Sequence, residues 1–353
     1  MRIAAPELEA ITVRLLQTWR VPVDAARTVA NHLVESSLAG VDSHGIMRLP
    51  QYLDAIEAGE IDVDAPISPV LDRGSIVAFE AYHAFGPVAG MVAAQVAAER
   101  AQSHGLSLVV MAHAGHAGRI GAYTGAIAEQ GVLALAFCNS PVYGHFIAPP
   151  GSRTGRLATN PIAYGFPTLE GPVVADFATG SMPEGVIRLL RDRGNPAPPD
   201  MMLDARGEPT TDAGSLYTDP PGVILPLGGS RNGHKGFALG LLVEVLAGTL
   251  AGDKITDPNL RGNNLTFICI DVRATPAAPH FQELAAELVA YVHAAAPIRE
   301  DGRVMVPGEK EQRTRAERLR SGIPIDSFTW EGIVSRAARL GVPLPFVADE
   351  EHQ

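Results

Sequence analysis

"GHAGRIG", residues 115–121, is the stretch on which the fold turns. It follows an apolar, strand-like run and precedes a short helical pattern. A doubly wound dinucleotide-binding fold carries Gly-x-Gly-x-x-Gly at such a place, with an acidic residue closing the next strand. Here the glycines stand three apart, at 115, 118 and 121, and the acid is missing. A second phosphate-gripping pattern, Gly-x-x-x-x-Gly-Lys-Ser/Thr, fails too. "GGSRNGHKGF" (228–237) places His234 before Lys235 and Gly236 after it. A nucleotide, if bound, requires another architecture.

Outward from that stretch the chain reads as an α/β middle between helical ends. "SIVAFEA" (75–81), "LSLVVMAHA" (106–114), "VLALAFCNS" (132–140), "IAYGFPT" (162–168), "PVVADFAT" (172–179) and "NLTFICIDV" (264–272) are apolar strand candidates. The short gap between the fourth and fifth favours antiparallel or mixed pairing over a pure crossover sheet. Helices are expected at 86–105, 121–131, 235–251 and 280–297, with a loop-rich stretch at 194–230. Before residue 60 the pattern is helical at 6–20, 23–40 and 50–59, with Pro6 and Pro50 suited to first turns. The polar tail 300–353 is helical again. Residues 1–74 and 298–353 are therefore expected to form one discontinuous helical domain, and 75–297 the α/β domain.

Composition narrows the function classes. The 353 residues are 46% hydrophobic and 19% charged, with a net charge of −11. The densest basic cluster, "EKEQRTRAERLR" (309–320), interleaves acids and reads as a solvated helix face, so nothing favours nucleic acid. The longest apolar stretch, 236–252, is too short to span a bilayer and contains Glu244. Cys138 and Cys269 sit in apolar runs, which suits a reducing compartment. No secretion signal is evident at the start. The expectation is a cytoplasmic protein without membrane association.

Several motifs carry chemistry beside a plainer reading. "GVDSHGIMRLPQY" (40–52) supplies His44, Arg48 and Tyr52. A guanidinium clamps a carboxylate in two hydrogen bonds, and an imidazole moves a proton near neutrality. That is a sensible kit for a 2-oxo acid, although Asp42, Ser43 and His44 also read as a helix cap. "HAGHAGRIGAY" (113–123) adds His113 and His116 among small residues; no second His/Cys pair has zinc-like spacing, so no metal is expected. "ATNP" (158–161) offers Thr159 and Asn160, as ligand groups or as a turn. "ADFATGS" (175–181) ends a strand on Asp176 and Thr179. "LPLGGSRNGHKGFALG" (225–240) presents His234 and Lys235 at an expected helix start. That suits an anionic ligand, a pyridoxal-phosphate Schiff base on Lys235, or merely a capped helix with a solvated lysine.

Taken in order, "GVDSHGIMRLPQYLDAIEAGEI", "GHAGRIGAYTGAIAEQG", "FCNS", "PPGSRTGRLATNPIAYGFP", "DFAT", "GEPTTD", "LPLGG", "HKGFALGLLVEVLAG" and "VMVPGEK" resemble the malate/L-lactate dehydrogenase family. The likeness is to its sulfolactate and ureidoglycolate dehydrogenase type, which is unrelated to the Rossmann lactate dehydrogenases. The resemblance implies a three-layer α/β domain with a mixed, largely antiparallel sheet, beside a helical domain built from both chain ends. It implies an NAD(P)-dependent oxidoreductase of 2-hydroxy and 2-oxo acids, using NAD(H) or NADP(H). Reduction of cyclic 2-imino acids and N-alkylating imine reduction are its alternatives, and a catalytically silent binding protein is the rival outside the class. A homodimer with both subunits at the active site is implied as well.

By the same resemblance His44 and His116 match proton-transfer histidines and Arg48 a carboxylate clamp, while Ser140 and Asn160 line the substrate pocket. Tyr52 joins that set, as support for His44 or as packing. Thr159, Asp176, Phe177, Ala178, Thr179, Ser181, His234, Lys235, Pro307, Gly308 and Glu309 match cofactor-contacting segments. The chain departs from the family pattern after "DFAT". There it reads "GSMPEGVIRLL", with Glu184 in place of the basic Arg-Gly-Lys run.

Overall fold

The computed structural model describes residues 1–140 and 144–344; the end of the expected helical tail, 345–353, lies outside the described residues. In chain order the first half contains β1 (Arg2–Ile3), α1 (Ala5–Gln17), α2 (Val23–Leu38), α3 (Leu49–Glu57), β2 (Ser68–Asp72), β3 (Ile76–Glu80), α4 (Gly86–His104), β4 (Leu106–Ala114), α5 (Gly121–Glu129) and β5 (Val132–Cys138). The second half contains β6 (Ile162–Phe166), β7 (Val173–Phe177), α6 (Glu184–Asp192), β8 (Met202–Leu203), β9 (Pro209–Thr210), β10 (Val223–Ile224), α7 (Gly229–Val243), β11 (Asn263–Asp271), α8 (Phe281–His293), α9 (Glu309–Ser321), β12 (Ile323–Pro324) and α10 (Ser327–Arg339).

Seven strands form the main sheet in the order β2-β3-β4-β11-β5-β6-β7. Only β3 and β4 run parallel, because α4 carries the chain across between them; each other neighbouring pair is antiparallel. The sheet is thus mixed and largely antiparallel. β11 lies at its centre, and its alternate residues build two cores. Leu265, Phe267 and Cys269 face α4 and α5, while Ile268 faces Val243 and Ala247 of the α7 layer. On α4 the buried face is a row of alanines, Ala89, Ala93, Ala94, Ala97, Ala98 and Ala101, which lets the helix axis approach the sheet closely.

Both chain ends share a third core. Leu8, Leu15, Leu33, Leu49 and Tyr52 pack with Ile323, Ile325 and Ile333, and β1 pairs with β12. α9 buries nothing. Instead Arg315 reaches Glu35 and Arg318 reaches Asp42, so its charged residues fasten it to α2 and the turn beyond.

Three local expectations change. The stretch 194–230 contains a small three-stranded sheet, β10-β8-β9. The segment beginning at Glu184 forms α6. The helix expected from 235 begins at Gly229, and its last turns, Glu244–Thr249, widen into a π-helix. The glycines of "GSRNGHKG" fit a helix here because close packing needs them. A Cβ on Gly236 would stand 2.3 Å from Leu227 O. His234 and Lys235 therefore lie beyond the first turn, not at the helix start.

His113 takes no part in a site cluster. At φ 51° it sits at the end of β4 with Nδ1 2.8 Å from Glu80 and Nε2 2.8 Å from Asp253. The Asp253 hydrogen bond, then Glu80, raises its pKa to about 9. Because that exceeds the ordinary value of 6.5, its stabilisation is complete below pH 6.5 and is lost as pH rises through about 9. Urea unfolding between pH 7 and 10 should show a decline that His113→Gln removes; identical pH slopes would contradict the bridge.

Candidate active site

The turn that carries the expected ladder is built from two 3₁₀ segments, Asp42–His44 and Ile46–Arg48, ahead of α3. Gly45 joins them because a Cβ there would meet Ser37 Oγ at 2.2 Å, and that oxygen accepts the Ile46 N–H at 2.9 Å. The turn directs Arg48 inward. Only 8% exposed, it donates from Nε to Ser43 O (2.7 Å) and from Nη1 to Gln51 Oε1 (2.6 Å). Nη2 donates to no acceptor among the described residues. Burial and the nearby Arg188 lower its pKa from 12.5, and a guanidinium remains the cation of the site.

His116 arrives from the loop after β4. That loop lies so close to the start of α4 that a Cβ on Gly86 would stand 2.2 Å from His116 O. The His116 and His44 rings stack with centroids 5.6 Å apart. Tyr52 is buried, and its hydroxyl lies 2.9 Å from His116 Nδ1 and 3.1 Å from His116 O; its polar partner is His116 and not His44. One arrangement satisfies all three groups: Nδ1–H donates to the phenol oxygen, and the phenol O–H donates to the carbonyl. Nε2 of His116 is then left with a free lone pair. Burial, followed by the Arg48 charge, lowers His44 to about 3 and holds His116 well below 6.5. Both imidazoles are neutral at neutral pH.

Beside His44 opens a cavity of about 410 Å³. It brings together Thr159, Asp176, Phe177, Ala178, Pro307 and Gly308, which are distant in sequence. Gly308, at φ 90°, lies directly on β7, where a Cβ would be 3.0 Å from Val174 O. Asp176 accepts the Gly121 N–H at the start of α5 (2.7 Å); burial raises its pKa, against the lowering effect of that hydrogen bond and Arg119. Thr179 and Ser181 support the walls: Thr179 Oγ1 donates to Asn160 O (2.9 Å), and Ser181 Oγ donates to Met201 O (3.0 Å). Ser140 Oγ accepts from Asn263 Nδ2 (2.8 Å). Glu309 Oε1 lies 2.9 Å from His293 Nε2 and Glu309 Oε2 accepts the Val306 N–H, while Glu311 lines the cavity. His234 lines a separate cavity with Arg153 and Arg206, and exposed Lys235 borders neither.

Three contributors were not anticipated in the sequence. His32, on α2, accepts the Arg119 N–H at Nε2 (2.9 Å), and burial lowers its pKa to about 3. Arg119 lines the cavity with a buried Nε that has no partner. Glu244 is a buried carboxylate that accepts from Asn139 Nδ2 (2.8 Å) and Asn160 Nδ2 (2.9 Å). It thereby fixes the Asn160 amide, whose Oδ1 is buried without a partner. The helical spacing of Glu244 within an apolar run was its one visible signal.

This set fits a dinucleotide. Arg119 offers an unfilled donor for phosphate, Asp176 and Glu311 offer acceptors for hydroxyls, and Phe177, Ala178 and Pro183 offer an apolar wall for a ring. Among the described residues no cluster of three or more His, Cys, Asp or Glu is arranged to hold a metal ion.

The sequence pattern of the malate/L-lactate dehydrogenase family matches residues 3–334. The chain belongs to that family. The L-lactate dehydrogenase of Cupriavidus necator is 35% identical over 352 residues, covering 98% of this chain and 99% of the relative. The structure of malate dehydrogenase from Pyrococcus horikoshii superposes with a TM-score of 0.88 at 29% identity, over 97% of this chain and 96% of that one. The Δ1-pyrroline-2-carboxylate/Δ1-piperideine-2-carboxylate reductase of Pseudomonas putida is 27% identical over 94% of this chain and 96% of its own length. The protein is an oxidoreductase of the hydroxy-acid dehydrogenase family, and its sheet is the family's sheet.

If Gly86 is required by the approach of the His116 loop, Gly86→Ala should destabilise the fold by about 1–3 kcal/mol, the usual range for overpacking. Chemical denaturation measures it, and an unchanged midpoint would contradict the contact.

Proposed function

We propose that the protein transfers hydride between a nicotinamide nucleotide, NAD(H) or NADP(H), and C2 of a 2-hydroxy or 2-oxo acid. The observation that carries this reading is the convergence of a buried, half-engaged guanidinium with an imidazole whose tautomer is fixed. Arg48 takes the substrate carboxylate on its open Nη2 edge. In the oxidation direction Nε2 of His116 accepts the hydroxyl proton, and Tyr52 holds the ring in orientation. His44, stacked on His116, keeps the second face of the ring dry and stands at the cavity where the cofactor segments meet. A bound nicotinamide supplies the hydride acceptor or donor. Burial is the larger cause of the depression of both histidines and the Arg48 charge the next; a carboxylate on Arg48 offsets that second cause and so makes His116 easier to protonate for the reverse reaction.

Kinetics of the full-length enzyme test this. His116→Ala should lower kcat by roughly 10²–10⁴-fold. Arg48→Ala should raise KM and lower kcat/KM for every acid in a panel of pyruvate, oxaloacetate and phenylpyruvate with NADH and NADPH. Near-unchanged kinetics in either variant would refute its assigned role. Cyclic imino acid reduction is the second reading, supported by the Pseudomonas putida relative. Turnover of Δ1-piperideine-2-carboxylate in preference to the oxo acids would favour it, and failure to bind either dinucleotide would favour a silent binding protein.

We further infer a homodimer in the cytoplasm. α7 and its π-turn expose Leu241, Leu242 and Val245, and α8 exposes Leu284, Leu288 and Tyr291. Exposed apolar side chains on this scale mark an association surface. The two buried free thiols suit a reducing compartment, and no helix among the described residues is long and apolar enough to cross a membrane. The core shared by both chain ends supports reading 1–74 with 298–353 as one helical domain beside 75–297. Light scattering should give a mass about twice 37.2 kDa, reduced towards the monomer by Leu242→Glu. A monomeric wild type would exclude the dimer.

A further inference from the structure

A second hollow, of about 630 Å³, adjoins Arg48 between α3, α6 and the start of α10. Such a volume lies within the ordinary range for small-molecule sites, roughly 300–1,000 Å³. Gln51, which receives Nη1 of Arg48, stands on its wall, so the guanidinium end turns towards this hollow. α6 comes close because residue 185 is glycine: a Cβ there would lie 3.0 Å from Arg48 Nη2.

Asp54, Asp192, Asp326 and Arg188 on the lining are spent on partners outside it, while Arg48, Glu60 and Arg193 have no ion pair among the described residues. Asp54 is paired with Arg336, Asp192 with Arg191, and Asp326 caps α10 through the Thr329 N–H. Arg188 is held at 2.6 Å by Glu184, whose Oε1 also accepts from Tyr217. Here the departure from the family pattern has a structural consequence. The acid at 184 neutralises the arginine one turn later, so α6 presents no free cation to the hollow from that pair. The apolar part of the lining is Met47, Pro50, Ala55, Ala58, Leu189 and Phe328, and the exposed charges of Glu60 and Arg193 stand on the same lining. Phe328 is 73% exposed, an aromatic ring with little protein around it at the rim.

We propose that this hollow is the subsite for the substrate's side chain, and that it selects 2-oxo and 2-hydroxy acids with a bulky apolar group, aryl or branched, over those of pyruvate size. The inference rests on the hydride-transfer reading above. With the carboxylate on Nη2 of Arg48 and C2 directed to His116, the third substituent of C2 enters the space between α3 and α6. An apolar wall discriminates by size: one methylene is worth roughly 10–200-fold in kcat/KM.

The test compares phenylpyruvate with pyruvate in the full-length wild type and in Ala55→Trp and Ala58→Trp, each of which fills the hollow. Ala58 is exposed, so its variant keeps the test open if Ala55→Trp fails to fold; melting temperatures report which variants are folded. In the wild type kcat/KM should be at least about tenfold higher for phenylpyruvate. In the variants the ratio of the two values should fall at least about tenfold. A wild type that prefers pyruvate, or a ratio that neither folded variant changes, overturns the subsite. If no oxo acid is turned over, the hydride-transfer reading fails on its own account. Calorimetric binding of phenyllactate then decides the subsite separately. Weaker binding in the variants than in the wild type upholds it, and equal or absent binding overturns it.

Discussion

The hydroxyl of Tyr52 joins two parts of the molecule that are built from different regions of sequence. It belongs to α3, in the core shared by the chain ends, and it reaches the carbonyl and ring of His116 in the loop after β4. A buried phenol must find polar partners, and a loop carbonyl must as well, so each fixes the other. Around this link the other contacts fall into place. Gly86 lets α4 approach the loop, His32 holds the next amide, and Asp176 holds the amide at the start of α5. The path from β4 to α5 is thus pinned at several backbone positions. The segment that resembles a glycine-rich nucleotide fingerprint serves here as a rigid floor.

Burial decides the electrostatics. Arg48 cannot lose its proton, so it remains charged in a site where three neighbouring histidines are neutral. An isolated buried cation is costly unless its hydrogen bonds are met, and two of its donors are met by Ser43 O and Gln51. This asymmetry leaves one edge of the guanidinium, Nη2, without an acceptor among the described residues.

Some of this was legible in the sequence. The failed fingerprint at 115–121 excluded the doubly wound fold, and the crowding of two strand patterns between 162 and 179 pointed to antiparallel pairing, as found for β6 and β7. The Ala-rich pattern at 86–105 became α4. What escaped notice depends on distant partners. Glu244 is separated from Asn139 by 105 positions, and His32 from Arg119 by 87. No local pattern encodes either meeting. Glycines at 228–236 look like a loop by propensity, yet tertiary packing makes most of them helical, with a Cβ excluded at Gly236 by Leu227 O (2.3 Å) and at Gly229 by Asp200 Oδ2 (2.3 Å). A loop at those glycines puts His234 and Lys235 at a helix start, whereas the structure sets them apart from the cavity beside His44.

The central claim is that hydride passes directly between a nicotinamide and C2 of an acid held by Arg48. Its most direct measurement is the fate of isotope in a single product. Nicotinamide nucleotide carrying deuterium at C4, in the stereochemical position the enzyme uses, would be incubated in ordinary water with phenylpyruvate and the full-length protein. Proton NMR of the product would then be recorded. Direct transfer gives 2-hydroxy acid with deuterium at C2 and loss of the C2 proton signal in the same proportion. A product carrying only solvent hydrogen at C2, with neither position of the C4 methylene delivering its label, would contradict it.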